Sequence, residues 1–321
     1  MAHSALARNP AHDADPAFRE DILKGFSKNP KATPARWFYD KRGSELFEDI
    51  TALPEYYPTR TEISLLQAYG GQIGEGIGPG RAVIEFGAGS ATKTPHLLRQ
   101  IAPSAYVAVD ISGEFLREST AALAHDFPGL PVRALEADFT EQVTLPREVS
   151  GVPKLGFFPG STIGNFEPAA AVDLLRSFRQ SLGEGAMLLI GIDRIKDPAT
   201  LVPAYDDAAG VTAQFNLNLL ERINRELEGT IPVHGFRHVA RWNDTLARIE
   251  MHLEAVRDIR FTIAERGFSM RAGETIHTEN SHKYGERDAR LLLRAGGWSP
   301  CREWTDPASM FSLILAEAQH E

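Results

Sequence analysis

Hydrophobic residues gather in short runs between residues 81 and 193, and amphipathic stretches separate the runs. The runs lie at 81–89, 105–112, 132–138, 154–161 and 186–193. In the intervening stretches TPHLLRQIA, EFLRESTAALAHDF and PAAAVDLLRSFRQSL, apolar residues recur at helical spacing. Apolar strands that alternate with helices are typical of a parallel sheet covered on both faces. The pattern therefore predicts an α/β fold built on a doubly wound sheet.

This rhythm stops after residue 193 and resumes at residue 287. Between them, TAQFNLNLLERINREL predicts a helix, whereas IEMHLEAV and IRFTIAE predict strands of an antiparallel sheet with one solvated face. From residue 287, the helix RDARLLLRAGG and a hairpin made by WSPCREWTDP and FSLILAEA are expected to complete the first sheet. The insertion thus interrupts the α/β domain.

The first sixty residues also lack this alternation of strands and helices. The sequence therefore predicts two interleaved domains. We predict one domain from 61–195 with 287–321, and a second, substrate-binding domain from 1–60 with 196–286. The first segment carries a cluster of aromatic residues, which are Trp37, Phe38, Tyr39, Phe47, Tyr56 and Tyr57. We interpret Phe38 and Phe47 as core. Tyr39 and Tyr56 are the better site candidates, because a buried tyrosine hydroxyl needs a partner and both lie beside loop-forming residues.

The first predicted strand runs into a glycine-rich loop, GAGSATKT. Glu85, Gly87 and Gly89 form E-x-G-x-G at the place where a doubly wound sheet binds a nucleotide. The loop lacks the third glycine of the dinucleotide motif and the Lys-Ser/Thr ending of a P-loop. The loop therefore argues against NAD and ATP as ligands.

Acidic residues stand at the ends of the next two predicted strands. Asp110 stands where a carboxylate commonly takes the ribose hydroxyls of a nucleoside ligand. Asp138 and Phe139 offer a carboxylate to an exocyclic amine and a ring to an adenine face. A tight turn or a helix cap would explain any one of these signals. Their order along the chain instead favours a class I methyltransferase that uses S-adenosylmethionine.

Charge supports a cofactor without phosphates. The loop carries one cation, Lys93, which either pairs with the carboxylate of the cofactor or is a solvated lysine of the first helical turn. Across the chain, 34 Lys and Arg against 43 Asp and Glu give a net charge of −9, so nucleic acid and anionic membranes are poor partners. We expect small-molecule substrates and a monomer.

Cysteine usage and hydropathy indicate the compartment. A single cysteine, Cys301, excludes an internal disulfide and favours a reducing cytosol. The polar first thirty residues lack the apolar core of a signal peptide, and the longest apolar runs are shorter than the roughly 20 residues that span a bilayer. We therefore expect a cytoplasmic protein.

Histidines give little support for a metal site. His234 and His238 are four apart and His252 is near in sequence, but HGFRH lacks the glutamate of H-E-x-x-H. We interpret them as scattered surface histidines and predict no metal. His282 and Lys283 are expected on the exterior.

Several longer motifs resemble one family. They are FYDKRGSELFEDITALPEYYPTRTE (38–62), EFGAGSATKT, FFPGSTIGNF (157–166), AYDDAAGVTAQFN (204–216) and the E-x-S-x-K of TENSHK (278–283). Together they resemble the L-histidine N-alpha-methyltransferases of ergothioneine biosynthesis, over nearly the whole chain after residue 30. The resemblance implies a class I methyltransferase fold with an inserted α+β substrate-binding domain. It also implies three successive methyl transfers from S-adenosylmethionine to the α-amine of L-histidine, which give hercynine.

The resemblance assigns roles to individual residues. Asn165 and Tyr205 would hold the substrate carboxylate, and Tyr56, Glu279 and Ser281 would bind the imidazole. The remaining assignments are Tyr39 near the amine as the catalytic residue, Gly160 and Thr162 presenting polar groups to it, and Met251 packing on the ring. Cofactor binding would fall to Glu85, Gly87, Gly89, Lys93, Asp110, Asp138 and Phe139.

The chemistry of these residues agrees with the roles. Asn165 and Tyr205 can bind a carboxylate without placing a second cation beside the sulfonium of the cofactor. Glu279 can accept a hydrogen bond from a ring N–H. One alternative is a related enzyme that methylates another amine, such as a tryptophan derivative, and Glu279 argues for imidazole. Another alternative is a non-catalytic protein that binds S-adenosylmethionine, against which the amino acid clamp argues.

Overall fold

The structure is a computed structural model that describes residues 15–319. The helices are α1 (Pro16–Phe26), α2 (Lys41–Thr51), α3 (Tyr57–Ala68), α4 (Gly70–Ile77), α5 (Thr94–Leu98), α6 (Gly113–Asp126), α7 (Pro168–Leu182), α8 (Pro198–Leu201), α9 (Val211–Glu226) and α10 (Glu286–Ala295). The strands are β1 (Lys31–Ala32), β2 (Ala82–Phe86), β3 (Ala105–Asp110), β4 (Val132–Glu136), β5 (Lys154–Phe158), β6 (Met187–Asp193), β7 (Phe236–Asn243), β8 (Arg248–Ala255), β9 (Ile259–Ile263), β10 (Arg266–Met270), β11 (Thr275–His282), β12 (Trp298–Thr305) and β13 (Phe311–Ala318).

The chain divides into two compact units. The large unit contains Thr51–Ala204, Trp242–Ile249 and Asn280–Glu321, described as far as residue 319. The small unit contains Met1–Ile50, described from residue 15, with Tyr205–Arg241 and Glu250–Glu279.

These bounds differ from those predicted from the sequence. Residues 51–60, 196–204, 242–249 and 280–286 group with the large unit, whereas the sequence placed them in the substrate-binding domain. Part of the first difference follows from helix α3, which begins at Tyr57 and continues beyond residue 60 within the large unit.

The large unit is built on a seven-stranded sheet with the order β12-β13-β6-β5-β2-β3-β4. Neighbouring strands from β4 to β6 run parallel, and β13 runs antiparallel to both β6 and β12. Helices α3 to α6 cover one face of the sheet, and α7 and α10 cover the other. This arrangement confirms the predicted class I methyltransferase fold and the closing hairpin.

One strand departs from the buried pattern. The sequence groups 132–138 with the fully apolar strands, but β4 is half-buried or exposed along its length. That expectation was wrong because β4 is the edge strand of the sheet, so only β3 covers its side.

The strand order reverses between β2 and β5. Both strands run parallel, so their carboxyl ends, at Phe86 and Phe158, open on the same edge of the sheet. In doubly wound sheets, ligands bind at this switch point. The loops that follow β2 and β5 therefore carry the candidate site of the large unit.

Most residues of a four-stranded sheet with the order β1-β11-β8-β7 belong to the small unit, which also contains a separate antiparallel hairpin of β9 and β10. The two-residue strand β1 pairs in parallel with β11, and it is too short for periodicity to reveal it. Burial alternates along β7 and β9, as expected for one solvated face, but β8 is buried or half-buried throughout. Helix α9 is anchored through Asn216, whose amide donates to the carbonyl of His252.

Within residues 15–319, no helix is both long enough and apolar enough to cross a membrane.

Candidate functional site

The glycine-rich loop after β2 folds back onto the end of β3. Gly87 and Gly89 adopt positive φ angles of 70° and 50°, which side-chain-bearing residues rarely adopt. The backbone N–H of Gly89 donates to Oδ2 of Asp110 at 3.1 Å, and the N–H of Ser112 donates to Oδ1 at 2.9 Å. A Cβ atom on Gly89 would meet open space, so its backbone is accessible to a ligand.

Glu85 ties the two ends of this loop together. Its buried carboxylate accepts hydrogen bonds from Thr94 Oγ1 at 2.5 Å and from the Tyr106 hydroxyl at 2.7 Å. Burial raises the pKa of Glu85 to about 7, against the lowering effect of these two hydrogen bonds. Glu85 thus stabilises the loop through these two hydrogen bonds. Its contact with a cofactor stays a prediction.

Glu85 should make stability depend on pH. Its folded pKa lies above its unfolded value, so the stability it contributes is present below pH 4.5 and is lost as the pH rises to about 7. We expect the free energy of unfolding of Glu85→Gln to rise relative to the unsubstituted protein by about 3 kcal/mol across this window. Urea denaturation at several pH values measures this difference, and exposed Glu75→Gln is the control. A pH-independent difference would contradict the account.

Asp138 and Phe139 follow β4 and lie close to the same loop. Oδ1 of Asp138 accepts from the backbone N–H and the hydroxyl of Thr140, at 2.9 and 2.6 Å. The ring of Phe139 lies 3.3 Å from the position that a Cβ of Gly87 would take, and it packs edge-on against Phe158. The ring therefore supports the loop, and its contact with an adenine stays a prediction.

Lys93 is not a solvated lysine. Its side chain is 16% exposed, and Nζ lies 2.8 Å from Oε2 of the fully buried Glu62. The same carboxylate oxygen accepts the backbone N–H of Gly160 at 2.8 Å. Glu62 therefore joins the loop after β2 to the loop after β5, a role that the sequence did not reveal. Pairing of Lys93 with the cofactor carboxylate stays a prediction.

The loop after β5 carries Gly160, Thr162 and Asn165. Gly160 and Ser161 both adopt positive φ, and Ser161 Oγ accepts the backbone N–H of Asp193 at 2.9 Å. The Thr162 hydroxyl donates to the carbonyl of Pro159, and half-buried Asn165 ends the 3₁₀ helix Thr162–Asn165.

This 3₁₀ helix lies against the end of β11. A Cβ on Gly164 would come within 2.7 Å of the carbonyl oxygen of His282, so only glycine permits the contact. The large unit thus places the segment that ends in Asn165 beside the strand end that carries Ser281. These two predicted substrate residues are distant in sequence.

His282 and Lys283 are buried, at 5% and 2% exposure, so their predicted exterior position was wrong. Lys283 is stable there because its Nζ lies 2.7 Å from Oδ2 of Asp193, the last residue of β6. The Tyr57 hydroxyl also donates to that oxygen, at 2.8 Å. His282 is covered by the close contact with Gly164. Asp193 and Lys283 form a buried pair that the hydropathy pattern did not indicate.

The sequence profile of one family, described as histidine-specific, SAM-dependent methyltransferases, matches residues 18–318. The chain belongs to this family. The match confirms the predicted resemblance, the methyltransferase class and the dependence on S-adenosylmethionine.

Individual relatives of this methyltransferase agree with the family. This chain is 40% identical over 307 residues to the histidine N-alpha-methyltransferase of Mycobacterium tuberculosis, and the match covers 94% of each chain. It is 39% identical to the enzyme of the same name from Mycolicibacterium smegmatis, covering 95% of this chain and 96% of the relative. Ergothioneine biosynthesis protein 1 of Neurospora crassa is 30% identical, covering 86% of this chain and 32% of the relative.

The small unit of the methyltransferase holds Tyr39 in an aromatic group. The ring centroids of Phe47 and Phe215 each lie 5.7 Å from that of Tyr39, in edge-on orientation. Phe38 is fully buried, as its core interpretation predicted, and its ring packs against Phe215 in a tilted orientation with 4.6 Å between centroids. Phe47 is half-buried in the same group.

The other predicted substrate residues divide between the units. Tyr205, Met251 and Glu279 belong to the small unit, and Tyr56 and Ser281 belong to the large unit. Tyr56 and Tyr205 are both 8% exposed, Met251 is 2% exposed, and Glu279 is half-buried. Glu279 and Ser281 stand two residues apart on strand β11, the spacing that places both side chains on one face of a strand, as expected.

The histidines of the small unit correct a further expectation. His238 and His252 are buried, so the interpretation as scattered surface histidines was wrong for both, whereas His234 is exposed. His238 Nε2 lies 2.7 Å from the carbonyl oxygen of Tyr205. Burial, followed by the charge of His277, lowers the pKa of His252 to about 4, so this ring is neutral at neutral pH.

Glu250, His252 and His277 also lie together. Each offers one ligand atom, and these atoms are within 4.8 Å of one another. The two histidine rings are stacked at 4.8 Å between centroids. This geometry is compatible with a metal ion, so the predicted lack of a metal requires a direct test.

Proposed function

We propose that this chain transfers three methyl groups in succession from S-adenosylmethionine to the α-amine of L-histidine, giving hercynine for ergothioneine biosynthesis. The observation that carries the proposal is a family match extending from residue 18 to residue 318, through segments of both units. Two relatives that cover 94% and 95% of the chain are named histidine N-alpha-methyltransferase, which supports methylation of the α-amine. We further propose a cytoplasmic monomer that binds neither nucleic acid nor anionic membranes. The net charge of −9 supports the lack of these two partners, and the single cysteine supports the cytoplasm.

The loop after β2 fits S-adenosylmethionine. Backbone at Gly89 is open to a ligand, and the carboxylates of Asp110 and Asp138 suit ribose hydroxyls and an exocyclic amine. Lys93 is balanced by Glu62, so the loop adds no net positive charge that would repel a sulfonium. When bound, S-adenosylmethionine supplies an electrophilic methyl group.

The chain's own residues would bind and orient histidine. We propose that Asn165 and Tyr205 take its carboxylate and that Tyr56, Glu279 and Ser281 take its imidazole, with Met251 packed on the ring. Gly160 and Thr162 would present polar groups to the amine. Alignment and exclusion of water are the main demands of a methyl transfer, so positioning of this kind accounts for most of the catalysis.

Tyr39 would act on the amine itself. An α-ammonium group must lose a proton before its nitrogen can react, and the Tyr39 hydroxyl could relay that proton. The amine gains a permanent positive charge at the third transfer, and aromatic faces stabilise such cations. Tyr39, Phe47 and Phe215 supply three such rings.

We expect Tyr39→Phe to change the distribution of products. Without the hydroxyl, proton removal should slow, and mono- and dimethylhistidine should accumulate at least about tenfold relative to trimethylhistidine, since a positioned general base commonly contributes 10²–10⁴-fold. Mass spectrometry of timed reactions measures the three products. Tyr69→Phe, at the end of α3, is the matched control. Identical product ratios for Tyr39→Phe and the unsubstituted enzyme would remove Tyr39 from this role.

The experiment that tests the proposal is an assay of the pure protein with S-adenosylmethionine and L-histidine, with and without a strong chelator. We expect trimethylhistidine in both cases, because the proposed reaction needs no metal. Loss of activity with chelator, restored by a divalent ion, would show that the reaction needs a metal, for which Glu250, His252 and His277 are candidate ligands. Absence of methylated histidine in both would contradict the proposed function.

A further inference from the structure

Two buried carboxylates and one cation lie together at the glycine-rich loop after β2. Glu62 and Glu85 are 0% and 1% exposed, and the side chain of Lys93 is 16% exposed. Nζ of Lys93 lies 2.8 Å from Oε2 of Glu62. Burial is the main cause that raises the pKa of Glu85, and the charges of Lys93 and Glu62 add smaller effects of opposite sign. All three residues belong to the large unit, so their charges act on one another there.

The carboxylate of Glu62 has more negative charge than its donors compensate. Oε2 accepts from Lys93 and from the backbone N–H of Gly160, at 2.8 Å each. Oε1 is buried and has no hydrogen-bond donor within residues 15–319. This oxygen lies against Gly191, where a Cβ atom would come within 2.1 Å of it. A buried carboxylate oxygen without a donor keeps its negative potential, because neither water nor protein dipoles screen it.

The strand ends around this loop hold more carboxylates than cations. Asp110 ends β3, and Asp138 follows β4. Together with Glu62 and Glu85 they form what we call the acidic group. The pKa of Glu85 is about 7, so this carboxyl is more than half ionised at pH 7.5. Lys93 is the one cation of the glycine-rich loop, and the acidic group with Lys93 therefore carries a clear excess of negative charge.

Cations at the neighbouring strand ends do not cancel this excess. Three of them are paired with carboxylates of their own, and the pairs are Arg117–Glu136, Arg248–Glu167 and Lys283–Asp193. Lys196 shares Asp193 with Lys283, and Asp306 acts on Lys196 as a second negative charge. Arg99 follows the last residue of α5, away from the loop, and Arg194 donates to β12, on the side of β6 away from β2.

S-adenosylmethionine and its product differ by one charge, at the sulfur atom. The sulfonium makes the methyl donor a net cation, because the ammonium and carboxylate of its amino acid end cancel. S-adenosylhomocysteine has a neutral thioether instead. The sulfur is only a few bonds away from the carboxylate that Lys93 is predicted to bind. The donor and the product therefore place different charges beside the same acidic group.

We propose that the acidic group makes the cofactor site select S-adenosylmethionine over S-adenosylhomocysteine by charge, and that Glu62 sets this selectivity by neutralising Lys93. The inference rests on the proposed function and on the predicted contact of Lys93 with the cofactor carboxylate. Three successive transfers release the product three times, so a site that prefers the cation favours exchange of product for fresh donor. Glu62 acts through its charge and needs no contact with either ligand.

The selectivity is measured as the Kd of S-adenosylhomocysteine divided by the Kd of S-adenosylmethionine. Calorimetric titration of the pure protein at pH 7.5, without histidine, gives both constants. We expect a ratio of at least about five, since one unit charge several ångströms away changes affinity by about that factor near a protein surface. Sinefungin, which carries an ammonium group in place of the methylated sulfur, should bind with a Kd within about threefold of the donor. A ratio near one would overturn the proposal.

Substitutions of Glu62 and Lys93 should move this ratio in opposite directions. Glu62→Gln removes a negative charge and keeps an acceptor for the Gly160 N–H, so the ratio should fall about fivefold. Lys93→Met removes a positive charge, so the ratio should rise about fivefold. Both ligands lose the partner of their carboxylate in Lys93→Met, and this shared loss cancels in the ratio. In the double variant the net charge is restored, and the ratio should return to within about twofold of the original.

Structural damage does not reproduce this pattern, because it has no reason to shift the ratio upwards in one variant and downwards in the other. Exposed Glu75→Gln is the control, and its ratio should stay within about twofold of the original. A ratio that stays constant in both single variants, or that shifts in the same direction, would overturn the proposal. Lys93→Met and the double variant give this answer whether or not Glu62→Gln folds alone. Failure of the proposed function is distinguishable, because the protein would then show these ratios and methylate no histidine.

Discussion

Replacing Glu279 with alanine is expected to raise the KM for L-histidine about 100-fold, with the Kd for S-adenosylmethionine within about twofold of its original value. A hydrogen bond to a charged group contributes roughly 1.5–3 kcal/mol, which corresponds to about 10- to 100-fold in affinity. Glu279 is half-buried on β11, where solvent screening is reduced, so the upper part of that range applies.

Glu274→Ala is the matched control for this substitution. Glu274 lies just before β11, is exposed, and pairs with Lys31 at 3.9 Å, so its loss should change histidine kinetics by less than about twofold. Steady-state kinetics give KM, and calorimetric titration gives the Kd for the cofactor. Unchanged histidine kinetics in Glu279→Ala would show that this carboxylate does not bind the ring.

Replacing Glu62 with alanine is expected to lower the free energy of unfolding of the large unit by about 3–5 kcal/mol. Removing one partner of a buried ion pair leaves the other charge without compensation, and losses of that size are typical. Glu62 is fully buried, Lys93 is 16% exposed, and their atoms are 2.8 Å apart. The substitution also removes the acceptor for the Gly160 backbone N–H.

A double-mutant cycle identifies the cause of this loss. Lys93→Met should restore part of the stability of Glu62→Ala, because the unpaired cation is then gone, so the two effects should be non-additive by 1 kcal/mol or more. Urea denaturation of the four proteins measures the cycle. A loss below about 1 kcal/mol for Glu62→Ala would be the behaviour of an exposed pair and would contradict the buried bridge.

The sequence predicted the fold well because the βα rhythm is a local property. All five predicted parallel strands are present, and the hairpin of β12 and β13 completes the sheet. Whether a strand lies at the edge of a sheet depends on distant parts of the chain, so the sequence did not predict the exposure of β4. The two-residue β1 was missed because it is defined only by its pairing with β11.

The candidate site was predictable only in part. Asp110 and Asp138 could be predicted as candidates because they stand at the ends of predicted strands. Glu62, Asp193 and Lys283 could not, because their burial depends on partners far away in the chain. A charged residue at the end of an otherwise apolar strand, such as Asp193 after AMLLIGI, is the one local signal that could have indicated a buried pair.

The most direct test of the central claim is a competition among amines. The pure protein is incubated with S-adenosylmethionine and an equimolar mixture of the common amino acids, and the methylated products are identified by mass spectrometry. The account predicts histidine carrying one, then two, then three added methyl groups, with trimethylhistidine as the final product. Methylation of another amine, such as tryptophan, while histidine stays unmodified would contradict it.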